Sequence, residues 1–202
     1  MAFPQLVKSV FELYALVGDA FVGSTEALLY GDRMIAEKLI ERDQLVDNLY
    51  AELDQELAER LSKVPLSADE ISYLVGLMKI VPELERSGDL AEHIAQKSLL
   101  GLGPEMSPRL RGIVNQMSKT AAEMWRRSAE AFLNSNKEAH RVIDALDDEI
   151  DELNLAYYTE LASSCKDVVP AIELALVGRF YERFADHAVN LARTVAQLPD
   201  LR

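Results

Sequence analysis

Two short stretches place acids, bases, an imidazole and an amide on an otherwise apolar helical pattern. One is Glu182-Arg183-Phe184-Ala185-Asp186-His187-Ala188-Val189-Asn190. The other is Glu85-Arg86-Ser87-Gly88-Asp89-Leu90-Ala91-Glu92-His93. Four residues advance a helix by slightly more than one turn, so Glu182, Asp186 and Asn190 form one polar stripe. Glu85, Asp89 and His93 form a second. Carboxylates at this spacing share protons, pair with arginines or ligate a cation.

The positions between them are regular enough to define the supporting helices. Residues 3–30 recur as Leu6, Val10, Leu13, Val17, Ala20 and Phe21, which predicts a first helix. Tyr30-Gly31-Asp32 reads as a glycine stop followed by an N-cap. Residues 33–63 form a second helix, with Ile35, Leu39, Val46, Leu49, Leu53 and Leu57 inward and Val64-Pro65-Leu66 ending it. Ser67-Ala68-Asp69-Glu70 is a capping-box pattern that opens a third helix, running to about Leu100. Pro82 lies inside that helix and predicts a kink, or else a break near Val81. Gly101 to Pro108 is a breaker cluster, with Ser107 and Pro108 starting a fourth helix to about Leu133. Trp125 and Phe132 are expected to face inward. Ser135-Asn136-Lys137-Glu138 reads as a second capping box opening a fifth helix to about Ser163. The sixth opens at Asp167 and ends near Pro199.

Six helices in two sets of three also repeat in sequence. At an offset of 104, Asp43-Gln44-Leu45-Val46-Asp47 lies on Asp147-Asp148-Glu149-Ile150-Asp151. At an offset of 97, Glu85-Arg86 and Asp89 lie on Glu182-Arg183 and Asp186. The expected architecture is all-α: two tandem antiparallel three-helix bundles related by internal duplication, at 1–102 and 103–202.

Helix lengths bring the acids together. Asp47 is 16 residues before the bend at 63 and Glu85 is 18 after Ser67, about 24 and 27 Å of helix. In the second half the arms are 12 and 15 residues, about 18 and 22 Å. Asp43 and Asp47 therefore face Glu85 and Asp89, and Asp147 and Asp151 face Glu182 and Asp186. Four like charges that close repel. Protonation, pairing with Arg42, Arg86, Arg179 or Arg183, or a bound cation each relieve that repulsion. Oxygen ligands suit Mg, Ca, Mn or iron, and His93 tilts one site toward a transition metal or zinc.

Composition narrows the function. The 202 residues carry 34 acids and 21 Lys plus Arg, a net charge of −13, which argues against a nucleic-acid partner. The acidity is uneven: residues 1–103 hold 18 acids and 9 bases, so the remainder hold 16 and 12. Cys165 is alone, consistent with a reducing compartment. Lys8 and Glu12 interrupt any leader-like apolar run, and no run approaches a membrane span. A cytoplasmic location is expected, with membrane contact only through partners. A ferritin-like di-iron site needs Glu three residues before His; Leu90, Lys137 and Phe184 stand there instead. No Gly-x-Ser-x-Gly or phosphate-cradling glycine loop is present.

With these residues placed, the sequence resembles the PhoU family of phosphate-signalling and phosphate-transport regulators, over nearly its whole length. Glu182-Arg183-x-x-Asp186-His187-Ala188-x-Asn190 carries the resemblance most specifically, and Phe180 to Val189 resembles actinobacterial members. The resemblance implies a non-enzymatic adaptor between a phosphate transporter's ATPase subunit and a sensor histidine kinase, acting as a homodimer. It implies multinuclear metal clusters, iron or zinc first and Mg, Ca or Mn as alternatives, whose occupancy varies between members. The implied ligands are Asp43, Asp47, Glu85 and Asp89 in the first bundle and Asp147, Asp151, Glu182 and Asp186 in the second. His93, Asn190, Arg86 and Arg183 are implied as additional ligands or hydrogen-bonding supports. The first half departs from the pattern at His93, Ser87, Pro82 and Asp69-Glu70-Ile71-Ser72. The alternative reading is a metal-binding or structural helical dimerisation module with no phosphate role.

Overall fold

The computed structural model describes residues 3–62 and 65–201. Every regular element among them is helical: α1 (Pro4–Tyr30), α2 (Arg33–Ser62), α3 (Ala68–Leu99), α4 (Leu102–Glu105), α5 (Pro108–Asn134), α6 (Ala139–Ser164) and α7 (Val168–Gln197). Local chemistry sets most of these ends. Gly31 adopts a left-handed conformation, φ 68°, and its N–H closes α1 on Ala27 O. Asp32 Oδ1 accepts from Ile35 N at 3.0 Å and caps α2. The capping box at Ser67 is formed in both directions: Glu70 N donates to Ser67 Oγ, and Ser67 N donates to Glu70 Oε2. Ser107 Oγ accepts from Leu110 N at 3.1 Å, with Pro108 in the first turn of α5. The bend expected at Lys63 and Val64 lies outside the described residues.

Three local expectations change. Ser135-Asn136-Lys137-Glu138 is not a capping box. Ser135 ends α5 with φ 50°, Asn136 Oδ1 accepts from Glu138 N, and α6 begins only at Ala139. An asparagine turn has won over the cap. Ile35 is exposed, and the neighbouring Ala36 takes the inward position instead. The break considered near Val81 does not occur, because α3 runs continuously through Pro82.

The helices form two sets, α1–α3 and α5–α7, with α4 between them. The division expected at 102/103 falls inside α4. Gly103 lets α4 close onto α1: a Cβ there would lie 1.7 Å from Leu28 O. α2 and α6 are the outer helices and bury few residues, chiefly Val46, Leu53 and Leu57 in one and Ile150, Tyr157 and Leu161 in the other.

The two sets share one continuous core. Phe21 stacks on Phe184 with ring centroids 3.7 Å apart, and Trp125 packs on Phe184 and Tyr14. Trp125 Nε1 donates to Tyr14 O at 2.9 Å. Thr25 Oγ1 accepts from Ser118 Oγ and Tyr181 OH and donates to Phe21 O, so a buried hydroxyl cluster is satisfied across three helices.

A second seam joins α3 to α7. Leu198, just past the end of α7, fills the space left by Gly76. Further along, Glu83 meets Asn190, Ser87 meets His187, His93 stacks on Phe180, and Lys97 pairs with Glu173 at 2.6 Å. One number rises as the other falls, so the two helices are antiparallel. The pairs Glu83–Asn190 and Phe180–His93 are exchanged by the 97-residue offset, so the duplication survives as a pseudo-two-fold relation at this seam.

Candidate functional site

The acids expected to meet do approach one another in both bundles. α2 carries Asp43 and Asp47, and α3 carries Glu85 and Asp89. The helices are in close contact here: a Cβ on Gly88 would lie 2.9 Å from Val46 Cγ1 and 3.5 Å from Asp43 Oδ1. Asp43 is pushed up to about 7, first by burial and then by Glu92, Asp47, Asp89 and Glu85. Burial also raises Glu85, with Asp89 and Asp47 adding to it and Arg86 opposing. Asp89 is raised by burial and by Asp47, while His93 draws it down. Glu92 is a member of this cluster that the paired motifs alone did not identify. Its spacing from Asp89, three residues on one helix, was the available signal.

The second cluster has the same form. Asp147 is pushed up to about 6 by burial, then by Asp186 and Asp151, with Arg193 opposing. Glu182 is raised by burial and Asp186, with Arg179 opposing. Asp151 is exposed and Asp186 half-buried, on the facing helices α6 and α7.

The supporting residues are arranged differently from expectation. Arg179, one turn before Glu182, is the arginine that pairs with Glu182. Arg183 is exposed. Arg86 pairs with Glu83 at 2.8 Å and also donates to Pro82 O. Asn190 leaves the second stripe: its Nδ2 donates to Glu83 Oε1 at 3.2 Å, across the seam. His93 is exposed and stacks on Phe180 with centroids 5.3 Å apart. His187 is buried, with its Nδ1 2.9 Å from Ser87 Oγ.

The donor set is oxygen-rich, half-buried and short of protein counter-charge, which fits a hard cation chemically. As placed, no three His, Cys, Asp or Glu side chains among the described residues are gathered closely enough to hold one ion. The acids are therefore a converging field, and enclosing a cation would require their side chains to turn inward.

Fold and site together define a duplicated all-α bundle with acidic clusters on facing helices. A sequence model of the PhoU domain matches residues 10–98 and 114–195. The chain is 29% identical over 194 residues to the Mycobacterium tuberculosis protein named phosphate-specific transport system accessory protein PhoU homolog 2, covering 95% of this chain and 91% of that one. It is 30% identical over 181 residues to the Aquifex aeolicus protein named phosphate-specific transport system accessory protein PhoU homolog, covering 87% and 81%. The fold matches the crystal structure of PhoU from Pseudomonas aeruginosa with a TM-score of 0.88 at 22% identity, over 96% and 95% of the chains. The chain belongs to the PhoU family, whose members are non-catalytic regulators in phosphate signalling. No helix among the described residues is long and apolar enough to cross a membrane.

Proposed function

We propose that this chain is a cytoplasmic, homodimeric adaptor that couples the ATPase subunit of a phosphate transporter to a sensor histidine kinase. It damps the phosphate-starvation response when phosphate is plentiful. One observation carries the reading: relatives named as phosphate-transport accessory proteins match 95% of the chain, both bundles included. Exposed apolar side chains on the α6–α7 hairpin, Leu155, Val168, Val169 and Ile172, supply surface on which a partner can dock. The acidic clusters bind cations, and cation binding relieves the repulsion that adds to burial in raising Asp43 and Asp147. Loading then stiffens the α2–α3 and α6–α7 hairpins that face the partners.

The test is a pull-down of the full chain from cells grown with abundant and with scarce phosphate. Recovery of a transporter ATPase or a sensor histidine kinase is the expected result. Phosphate-responsive gene expression that is unchanged by deletion, at both phosphate levels, overturns the proposal.

A further inference from the structure

The α3–α7 seam carries a cleft that neither acidic cluster uses. Its volume is about 410 Å3, and Lys79, Pro82, Glu83, Arg86, Asn190 and Arg193 line it. Three of its nine lining residues are cations, in a chain whose net charge is −13. A volume of this size suits a small molecule.

The cations are only partly offset: Arg86 pairs with Glu83 and Arg193 with Asp144, which leaves Lys79 without a partner. Lys79 is exposed and makes no ion pair among the described residues. Glu83 is the one acid lining it, and both its oxygens are engaged: Oε2 by Arg86 at 2.8 Å and Oε1 by Asn190 Nδ2 at 3.2 Å. Glu83 thus braces Arg86 and Asn190 in place. Arg193 is steadied by Asp144 at 2.8 Å. Lys79 and Arg86 are seven residues apart on one helix, about 10 Å. The antiparallel register sets Arg193 near the Lys79 end, one turn from the Glu83–Asn190 contact. The cleft therefore has two positive poles.

The sister repeat lacks this arrangement. Phe180 stands in the place of Glu83 and stacks on His93. Leu176 and Gln96 stand in the places of Lys79 and Arg193. The sister face keeps a cation at the place of Arg86, as Arg183, and carries Arg179 and Lys97 where the cleft has Pro82 and Thr194, but Arg179 is paired with Glu182 and Lys97 with Glu173.

Guanidinium forks bind oxyanions with two parallel hydrogen bonds, and an ammonium adds a point charge. We propose that this cleft binds a small multivalent oxyanion of the phosphate or pyrophosphate class, held between Lys79 and Arg193 at one end and Arg86 at the other. The cleft adjoins the second carboxylate cluster through Arg193, which acts on Asp147, but it contains no acid of either cluster and needs no metal, so it stands or falls independently of the adaptor reading.

Isothermal titration of the full chain tests it, in chelator at fixed ionic strength, with pyrophosphate, inorganic phosphate and sulfate as probes. Pyrophosphate is expected to bind more tightly than phosphate, and phosphate more tightly than sulfate. Lys79→Gln and Arg193→Gln each weaken pyrophosphate by about tenfold or more, as loss of a charge-assisted contact does. Arg179→Gln, on the sister face, changes nothing. Glu83→Phe copies the sister residue into the cleft; it removes a negative charge and no cation, yet abolishes binding. Absence of binding by both phosphate and pyrophosphate overturns the proposal. So does equal weakening by Arg179→Gln, or undiminished binding in Glu83→Phe. Lys79 is exposed and unpaired, so its variant keeps the fold and its result stands alone.

Discussion

Ser87 Oγ and His187 Nδ1 lie 2.9 Å apart across the α3–α7 seam, and both residues are buried. Ser87 Oγ also lies 2.7 Å from Glu83 O, to which it donates. Its hydroxyl proton is spent there, so it accepts from His187, and Nδ1 carries the imidazole proton. Ser87→Ala leaves a buried donor without a partner and is expected to cost about 1–3 kcal/mol. Ser87→Ala combined with His187→Leu removes both polar groups and is expected to recover much of that loss. Urea unfolding of the two single variants and the double checks it. Simple addition of the single losses would show that the pair is not coupled.

The acidic clusters set a pH dependence in metal-free protein. Asp43 is raised from 3.8 to about 7, so the folded chain holds a proton that the unfolded chain has released between roughly pH 4 and 7. Stability from this group is present at low pH and is lost as pH rises through about 7. Asp147, raised to about 6, acts in the same direction over a narrower window. His187 acts oppositely: burial lowers it, and its contribution is lost as pH falls below its ordinary 6.5. With two strongly raised carboxylates against one histidine, the melting temperature is expected to be higher at pH 5.5 than at pH 8. Asp43→Asn is expected to raise it at pH 8 and flatten the profile. A melting temperature that climbs steadily from pH 5.5 to 8 would contradict this.

Cation binding, as proposed for the acidic clusters, is expected to reverse that behaviour. A divalent cation bound only by the folded chain would stabilise it by RT ln(1 + [L]/Kd), about 2.7 kcal/mol at a hundredfold excess over Kd. The gain is expected to be larger at pH 8 than at pH 5.5, because protons compete for the same carboxylates. Glu182→Gln with Asp186→Asn removes the second bundle's share and leaves the first. Thermal melts with Mn, Zn and Mg, together with elemental analysis of protein purified without added metal, read this out.

Gly178 sets how closely α7 approaches α6. A Cβ there would lie 2.6 Å from Tyr157 Cε1. Tyr157 cannot swing away freely, because it is fully buried and its OH donates to Leu174 O at 2.6 Å. Gly178→Ala is expected to cost about 1–3 kcal/mol through overpacking. Gly112, where a Cβ meets nothing within 4 Å, serves as the control. Equal stability of the two alanine variants would refute the close-approach argument.

Much of this arrangement was legible in the residues. Gly31, Ser67 and Ser107 fix helix ends through local hydrogen bonds, and the 104- and 97-residue offsets expose the duplication. Hairpin arms of nearly equal length were enough to bring Asp43 toward Asp89 and Asp147 toward Asp186. Ser135 misled because a serine three residues before a glutamate suits a cap or a turn equally well, and Asn136 decided for the turn. The seam was not legible. An amphipathic pattern tells which face of α3 is apolar, but α3 buries its surface against α1, α2 and α7 at once. Nothing local says that Asn190 should reach Glu83 rather than Glu182, or that Ser87 should meet His187. Those pairings depend on how two bundles dock, and docking depends on shape at positions such as Gly76 and Leu198.

The aromatic stack of Phe21, Phe184 and Trp125 binds residues from both halves into one core. Neither half can melt without exposing apolar surface that the other half covers. The two repeats are thus expected to unfold as a single cooperative block. Calorimetry is expected to record one endotherm, and a fragment ending before α5 is expected to be insoluble rather than a working half-protein.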